Sequence, residues 1–187
     1  MREANADSSG LKALGMTINK GLMSVIEEVL QANAEFARHF PYGGLSHRPR
    51  RKLAVVACMD TRLVVEEILG LKAGEAHIVR NAGGIVTEDA LCSLIISHHL
   101  LGTQEIVILN HTECGMMGLQ DDELQRRLEQ ATGASAATPQ AFHGFSDLEE
   151  NVRRQVRRVK EHPWMAGMAV RGLVYEVGSG RVREVAG

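Results

Sequence analysis

The spacing of apolar and polar residues divides the chain into an N-terminal helix and a longer region of alternating strands and helices. Between Thr17 and Phe40 apolar residues recur at helical spacing with charged residues between them, which predicts an amphipathic helix. The sequence PYGGL at residues 41–45 ends it, because proline and paired glycines do not continue a helical turn. Residues 1–15 are small and polar, and we expect them to be disordered, with residues 16–187 forming one α/β domain.

The region after the N-terminal helix alternates apolar strand patterns with helix patterns. Strands are predicted at 52–58, 76–84 and 105–111, and helices at 62–71, 87–102 and 146–162, the last with Ser146 as its N-cap. Residues 130–144 are predicted to be a long loop, and 170–185 a hairpin that turns at 178–180. This order favours a mainly parallel central sheet with flanking helices and antiparallel C-terminal strands.

Composition and charge exclude two classes of protein. Hydrophobic residues make up 44% of the chain and charged residues 24%, and no apolar segment is long enough to cross a bilayer, so a membrane protein is excluded. The net charge of −2 gives no broad basic face for nucleic acid, and we interpret the basic run His47–Lys52 as a solvated linker. The N-terminal sequence MREANADSSG does not resemble a secretory signal, which favours the cytoplasm.

Two of the three cysteines follow predicted strands, where ligands bind in parallel sheets. Cys58 ends the first strand, and His111 and Cys114 lie where the third strand ends. Because the carboxyl ends of parallel strands share one edge of the sheet, we expect these three side chains to converge. Cys92 lies within an apolar helix pattern, and we expect it to be a small buried core residue.

Two thiolates and one imidazole are a suitable ligand set for zinc. Catalytic zinc sites have three protein ligands and leave a fourth position for water, whereas structural sites close all four. No further Cys-x-x-Cys or His-x-x-His pair closes the shell of Cys58, His111 and Cys114, so the sequence predicts one catalytic zinc ion per chain. Asp60 and Arg62 lie beside Cys58, and the alternative for them is a plain surface ion pair.

The motifs together resemble the β-class carbonic anhydrases, above all their shorter prokaryotic members. The matching sequences are CMDTRL, RNAGG and HTECGM, with His111 placed 53 positions after Cys58. The resemblance implies that Cys58, His111 and Cys114 bind zinc and that Asp60 and Arg62 form a catalytic dyad. It also implies reversible hydration of carbon dioxide to bicarbonate and a proton, by hydroxide generated at the zinc.

The resemblance carries two further implications. The basic unit is a homodimer, often within a higher homo-oligomer, and the N-terminal helix packs on the partner subunit. In some family members the aspartate equivalent to Asp60 leaves its arginine and becomes the fourth zinc ligand, which closes the site. Gly83 and Gly84 are interpreted as a tight turn rather than as substrate contacts, and no residue is assigned to substrate binding or to a proton shuttle.

Two alternatives remain beside carbon dioxide hydration. The same fold and zinc site can hydrolyse carbon disulfide or carbonyl sulfide, because relatives of the family do so. The other alternative is a thiol redox or zinc-sensing protein in which Cys58 and Cys114 form a reversible disulfide, which leaves Asp60 and Arg62 without a role. A dinucleotide-binding protein is disfavoured, since no G-x-G-x-x-G follows a strand.

Overall fold

The computed structural model describes residues 23–136, 139 and 141–185, in two compact units divided between Gly43 and Gly44. The predicted disorder of residues 1–15 and the predicted helical residues 17–22 lie outside the described residues. One domain over residues 16–187 stays a prediction. Within the described part of the chain, no helix has the length and apolar character needed to cross a membrane.

The first unit contains helix α1, Val25–Arg38. It begins with a capping box, in which the Ser24 hydroxyl accepts from the Glu27 peptide N–H and the Glu27 carboxylate accepts from the Ser24 N–H at 2.7 Å. Its apolar side chains are exposed, and Val25, Ile26, Val29 and Leu30 are each more than 60% exposed. The amphipathic helix is therefore present from Val25 onward, and these apolar side chains are exposed.

The second unit is built on a five-stranded mixed sheet of order β2-β1-β3-β4-β5. The first four strands are parallel and the last pair is antiparallel, as predicted. The strands are β1 Leu53–Cys58, β2 Ala76–Asn81, β3 Glu105–His111, β4 Ala169–Tyr175 and β5 Val182–Val185.

The sheet is covered on both faces, which explains its continuously apolar strands. Alternate residues of β1 enter different clusters: Ala54 and Val56 join one core, and Val55 and Ala57 join the other. The helices of this unit are α2 Val65–Ile68, α3 Glu88–His99, α4 Asp121–Thr132 and α5 Leu148–Lys160. Helices α3 and α5 contribute to the first core, and the chain around α2 contributes to the second.

The prediction that Cys92 is buried is wrong. Helix α3 buries Ala90, Leu91, Leu94 and Ser97, whereas Cys92 is exposed. Successive helical residues are rotated by about 100°, so a residue one position beyond Leu91 lies on the opposite side from Leu94 and Ser97. The apolar pattern of this helix is too broad to identify the buried face from sequence.

Two predicted helices have different boundaries in the structure. The helix predicted at 62–71 is reduced to the single turn of α2, because the Leu63 N–H bonds the Asp60 carbonyl oxygen in a preceding turn and Gly70 takes a φ of 62°. Helix α5 is capped by Asp147, whose side chain accepts from the Glu150 N–H at 2.9 Å, and the prediction of Ser146 as the cap is wrong.

Helix α4 was not predicted, and its last turn occupies the start of the loop predicted at 130–144. The helix buries no residue and is polar around most of its surface, so it lacks the apolar period that identifies helices. Its signals are three acidic residues in the first turn, which suit a helix N-terminus, and Gly133 in the left-handed conformation at its end.

Candidate metal centre

The site lies at the carboxyl ends of the two central strands, β1 and β3. These strands pair in parallel, with Ala57 opposite Leu109, so the residues that follow emerge side by side. In the strand order, β2 lies next to β1 on one side and β3 lies next to β1 on the other, so the chain reverses its direction across the sheet after β2. Such a reversal of strand order opens a crevice at this edge, which is where open α/β sheets bind ligands.

The structure brings together the three predicted ligands. The donor atoms of Cys58, His111 and Cys114 all lie within 4.8 Å of one another, and the three residues are buried. The two sulfur atoms are 4.0 Å apart and both thiols are free. Two thiolates at about 2.3 Å from a tetrahedral zinc ion stand about 3.8 Å from each other, so the observed separation fits a shared metal ion.

The orientation of His111 suits metal binding. Its Nδ1 lies 2.8 Å from the Thr112 carbonyl oxygen, which can only accept, so Nδ1 carries the proton and Nε2 carries a lone pair. Within the described residues, this Nε2 is a buried polar atom without a hydrogen-bond partner. Buried polar atoms are nearly always satisfied, and a zinc ion held by both thiolates satisfies this one. The donor set therefore fits zinc.

The buried thiols perturb one another's ionisation. A hydrogen bond from Cys114 lowers the pKa of Cys58 to about 4 against the opposing effect of burial, and the neighbouring His111 adds to the lowering. The same hydrogen bond and burial raise the pKa of Cys114, which keeps the shared proton. Burial acts to lower the pKa of His111, but the neighbouring Cys58 outweighs it and the pKa is raised. Cys58 and Cys114 would hold a zinc ion as thiolates, so metal binding would release the proton that they share.

Asp60 and Arg62 form an ion pair beside these three residues. Arg62 donates to the carboxylate of Asp60 from Nε to Oδ1 at 3.0 Å and from Nη2 to Oδ2 at 2.8 Å, and its peptide N–H donates to Oδ1 at 2.9 Å. These bonds hold the pKa of Asp60 well below its usual range and raise that of Arg62. Asp60 Oδ2 lies 3.8 Å from His111 Nε2, so an ionised carboxylate borders the metal cluster.

Two residues without a predicted role hold this arrangement in place. Arg80 of β2 donates to the carbonyl oxygens of Cys58 at 3.0 Å and Asp60 at 2.7 Å. Arg62 also donates to the Glu113 side chain and carbonyl oxygen, both at 3.1 Å. Arg80 lies one residue before the end of β2, opposite Ala57 in the parallel pairing, whereas the strand predicted at 76–84 placed it in mid-strand and hid this role.

The glycine pair after β2 packs directly against the metal cluster. Gly83 and Gly84 are buried, with φ angles of 78° and 60°, in agreement with the predicted tight turn. A Cβ atom on Gly84 would lie 2.6 Å from Asn110 Nδ2 and 3.0 Å from the Cys58 peptide nitrogen. Only glycine permits this backbone conformation and this close approach together.

Comparisons with known proteins agree with this geometry. A family model described as "Carbonic anhydrase" matches residues 53–182. "Beta-carbonic anhydrase 1" of Mycobacterium tuberculosis is 41% identical over 165 residues, which cover 87% of this chain and 99% of that protein. "Carbon disulfide hydrolase" of Acidithiobacillus thiooxidans is 36% identical over 152 residues, covering 71% of this chain and 76% of that protein. The crystal structure of carbonic anhydrase from Streptococcus mutans superposes with a TM-score of 0.82 at 40% identity, covering 88% of this chain and 99% of that one.

Proposed function

Because the chain belongs to the β-class carbonic anhydrase family, we propose that it catalyses the reversible hydration of carbon dioxide to bicarbonate and a proton. The observation that carries this proposal is the buried cluster of Cys58, His111 and Cys114 with the Asp60–Arg62 pair beside it. The activation of a water molecule requires a metal site, and its orientation requires a hydrogen-bond acceptor beside that site. The three metal ligands and the ionised carboxylate of Asp60 offer both at one edge of the sheet.

We assign Cys58, His111 and Cys114 as the ligands of one zinc ion per chain. Their burial, the separation of the two sulfur atoms and the lone pair of His111 Nε2 support this assignment. Zinc held by three protein ligands supplies a Lewis acid that lowers the pKa of a water in its fourth position to about 7, so that hydroxide forms near neutral pH.

We assign Asp60 as the residue that orients the attacking water. Oδ1 accepts two N–H groups of Arg62, whereas Oδ2 accepts one and faces the cluster. Oδ2 therefore retains a lone pair that can accept the proton of an O–H group and direct the oxygen toward the carbon of carbon dioxide. Arg62 is a positioning residue, since its two parallel hydrogen bonds fix the plane of the carboxylate.

The pairing of Asp60 with Arg62 supports a fourth zinc position that is open to water. A carboxylate is also a competent zinc ligand, so a closed state in which Asp60 fills this position is chemically available. Reaching it requires Asp60 to leave the three N–H groups of Arg62.

The second candidate substrate is carbon disulfide or carbonyl sulfide, because the carbon disulfide hydrolase of Acidithiobacillus thiooxidans is similar over most of the chain. All three substrates are linear triatomic molecules that hydroxide can attack at carbon, so the zinc ligands do not distinguish them. The shape of the access route would distinguish them.

One experiment on a single zinc-quantified preparation tests the proposal. Stopped-flow measurement of carbon dioxide hydration is run beside measurement of hydrogen sulfide release from carbon disulfide and carbonyl sulfide. We expect hydration that scales with zinc content and no comparable sulfide release. Rapid sulfide release without hydration would assign the chain to the hydrolases instead. Absence of all three reactions in zinc-loaded protein would favour the thiol redox or zinc-sensing alternative.

We also propose that the protein works as a homodimer or a higher homo-oligomer in the cytoplasm. The exposed apolar side chains of α1 support an interface between copies, because an apolar face of this kind is normally covered. All three cysteines are free, which suits a reducing compartment. Fractionation of cells and sedimentation of the purified protein test these two proposals separately.

A further inference from the structure

Three buried carboxamide side chains connect α5 to the glycine turn beside the metal cluster. The Val86 N–H donates to Gln155 Oε1, Gln155 Nε2 donates to Asn151 Oδ1, and Asn151 Nδ2 donates to Asn110 Oδ1, each at 2.9 Å. Asn110 Nδ2 then donates to the two carbonyl oxygens of the 83–84 turn at 2.8 and 3.2 Å. The three side chains, which we call the carboxamide relay, are each no more than 2% exposed.

The direction of every hydrogen bond in the relay is fixed by its two ends. The Val86 N–H can only donate, and the carbonyl oxygens of the 83–84 turn can only accept. Each side chain between them must therefore accept on one side and donate on the other, which a carboxamide does and a carboxylate does not. Replacing one carboxamide by a carboxylate of the same shape forces its neighbour to exchange donor and acceptor roles, which reverses the direction of the hydrogen bonds without changing the side-chain volume.

The relay ends on two parts of the metal centre. Asn110 directly precedes the ligand His111 on β3, and the 83–84 turn packs against the backbone of Cys58. A Cβ atom on Gly84 would lie only 3.0 Å from the Cys58 peptide nitrogen, so the position of the turn fixes the backbone that carries this ligand. Outer-shell groups that position metal ligands commonly change metal affinity by about 10- to 100-fold when they are mutated.

We propose that the carboxamide relay is a positioning device that holds the 83–84 turn against the backbone of Cys58 and thereby tunes how tightly the site retains zinc. Asn110, Asn151 and Gln155 are positioning residues in this scheme, and none of them touches substrate. The inference rests on the zinc site of the proposed function. It goes beyond that function because it assigns a role to helix α5, which contributes no ligand.

The decisive variant is Asn151→Asp. One carboxylate oxygen keeps the hydrogen bonds from Gln155 and from Arg154 Nη2, which lies 2.7 Å from Asn151 Oδ1, so the new charge is paired. The other carboxylate oxygen faces Asn110 Oδ1, so the Asn110 amide must flip in order to donate to it. After the flip, Asn110 Oδ1 faces the two carbonyl oxygens of the 83–84 turn, and the bonds to the turn are lost. We expect zinc to transfer to a chelator about 10- to 100-fold faster. We also expect the sulfur-to-cobalt charge-transfer band of the cobalt-substituted protein to shift.

Two controls separate positioning from general loss of stability. Asn151→Leu removes the donor without reversing the relay, so Asn110 keeps its bonds to the turn. Thr103→Val removes a bond between the Thr103 and Ser97 hydroxyls, 2.6 Å apart and equally buried, before the amino end of β3. Asn151→Leu interrupts the relay and is expected to change the cobalt band and zinc release less than Asn151→Asp does, whereas Thr103→Val is expected to be less stable with both readouts close to those of the parent protein.

The outcomes decide the inference independently of activity. Parental zinc release and cobalt spectrum in folded Asn151→Asp, or equal shifts in all variants, would overturn it. Where Asn151→Asp does not fold, Gln155→Glu reverses the relay from its other end and decides by the same two readouts. A parent protein that binds zinc and does not hydrate carbon dioxide would refute the proposed function while leaving these readouts interpretable.

Discussion

Arg62 binds Asp60 through two parallel hydrogen bonds, so the carboxylate is fixed in one plane and one of its oxygens faces the metal cluster. The same bonds keep the pKa of Asp60 low, and the carboxylate is ionised throughout the neutral range. Asp60 is therefore a hydrogen-bond acceptor throughout this range, and its proposed role depends on the orientation of its carboxylate. The two roles proposed for Asp60, accepting a hydrogen bond from the attacking water and staying away from the metal, can be tested separately.

Replacing Asp60 by Asn is expected to retain zinc and to lower the rate of hydration by about a hundredfold or more, because a carboxamide is a weaker acceptor than a carboxylate. Zinc content and kcat measured on the same sample check this. The matched control is Glu184→Gln, which removes the charge from an exposed pair with Arg171 outside the site. An Asp60→Asn protein with full kcat would refute the orienting role.

Replacing Arg62 by Ala is expected to favour the closed state, because Asp60 is then free to bind zinc. The pKa of Asp60 rises toward about 3.9 on loss of Arg62, so the group is still ionised and the pH effect does not come from its own titration. Hydroxide competes better for the metal as pH rises. Activity should therefore be low near neutrality and recover with pH more steeply than in the parent protein.

Hydration rates from about pH 6.5 to about pH 9 check this prediction, with crystal structures of zinc-loaded protein at both ends of the range. Parallel pH profiles for the parent and the variant would contradict the competition. Water on zinc at the lowest pH, with Asp60 paired to Arg62 in the parent, would show that the parent rests in the open state.

The ligand assignment predicts joint loss of metal and activity. Cys58→Ser, His111→Ala and Cys114→Ser should each lose most of the bound zinc and all measurable hydration, since two remaining protein ligands do not retain the ion. Cys92→Ser is the matched control, because this third thiol is exposed and lies outside the cluster. Zinc analysis and stopped-flow assays give the result, and full activity in zinc-free protein would end the assignment.

Asp121 is expected to stabilise the loop after α4 in a pH-dependent way. Its carboxylate accepts the N–H groups of Phe142, His143 and Gly144 at 2.8 to 3.1 Å. Burial acts to raise its pKa, but these hydrogen bonds outweigh burial and the pKa is lowered. The stabilisation is therefore complete above the unfolded pKa of about 3.9 and is lost as pH falls through the lower folded value.

Asp121→Asn should lower the free energy of unfolding by about 1 to 3 kcal/mol at neutral pH, and by less as the pH becomes acidic. Urea denaturation at several pH values measures this difference. Asp122→Asn is the control, since it changes the neighbouring carboxylate, which makes no hydrogen bond to the described residues of the loop. A difference that stays constant into the acidic range would contradict the role of the charge.

The exposed face of α1 is expected to mediate assembly. Val25→Asp and Val29→Asp place charges one helical turn apart on the apolar face and should weaken self-association at least about tenfold each, because burying such a side chain contributes about 1.5 to 3 kcal/mol. Glu28→Gln is the control on the same helix. Sedimentation equilibrium decides, and unchanged association in both aspartate variants would remove α1 from the interface.

The alternation of strands and helices was predictable because both faces of the sheet are buried and the strands are continuously apolar. The convergence of Cys58 with His111 followed from the same topology, since adjacent parallel strands end at one edge. Helix α4 could not be found by periodicity, because it buries nothing. Asn151 and Gln155 read as ordinary polar positions of a charged helix, and only the packing of α5 reveals that they are buried.

The metal centre joins chain segments that are 56 residues apart at Cys58 and Cys114. Everything between them, including α2, β2, α3 and all of β3, lies within the loop that these two ligands close. A zinc ion held by both thiolates would cross-link the two ends of this segment, and closing such a loop removes entropy from the unfolded chain. Loss of zinc would then lower the free energy of unfolding as well as the activity, so the supply of zinc would limit the fraction of the protein that stays folded.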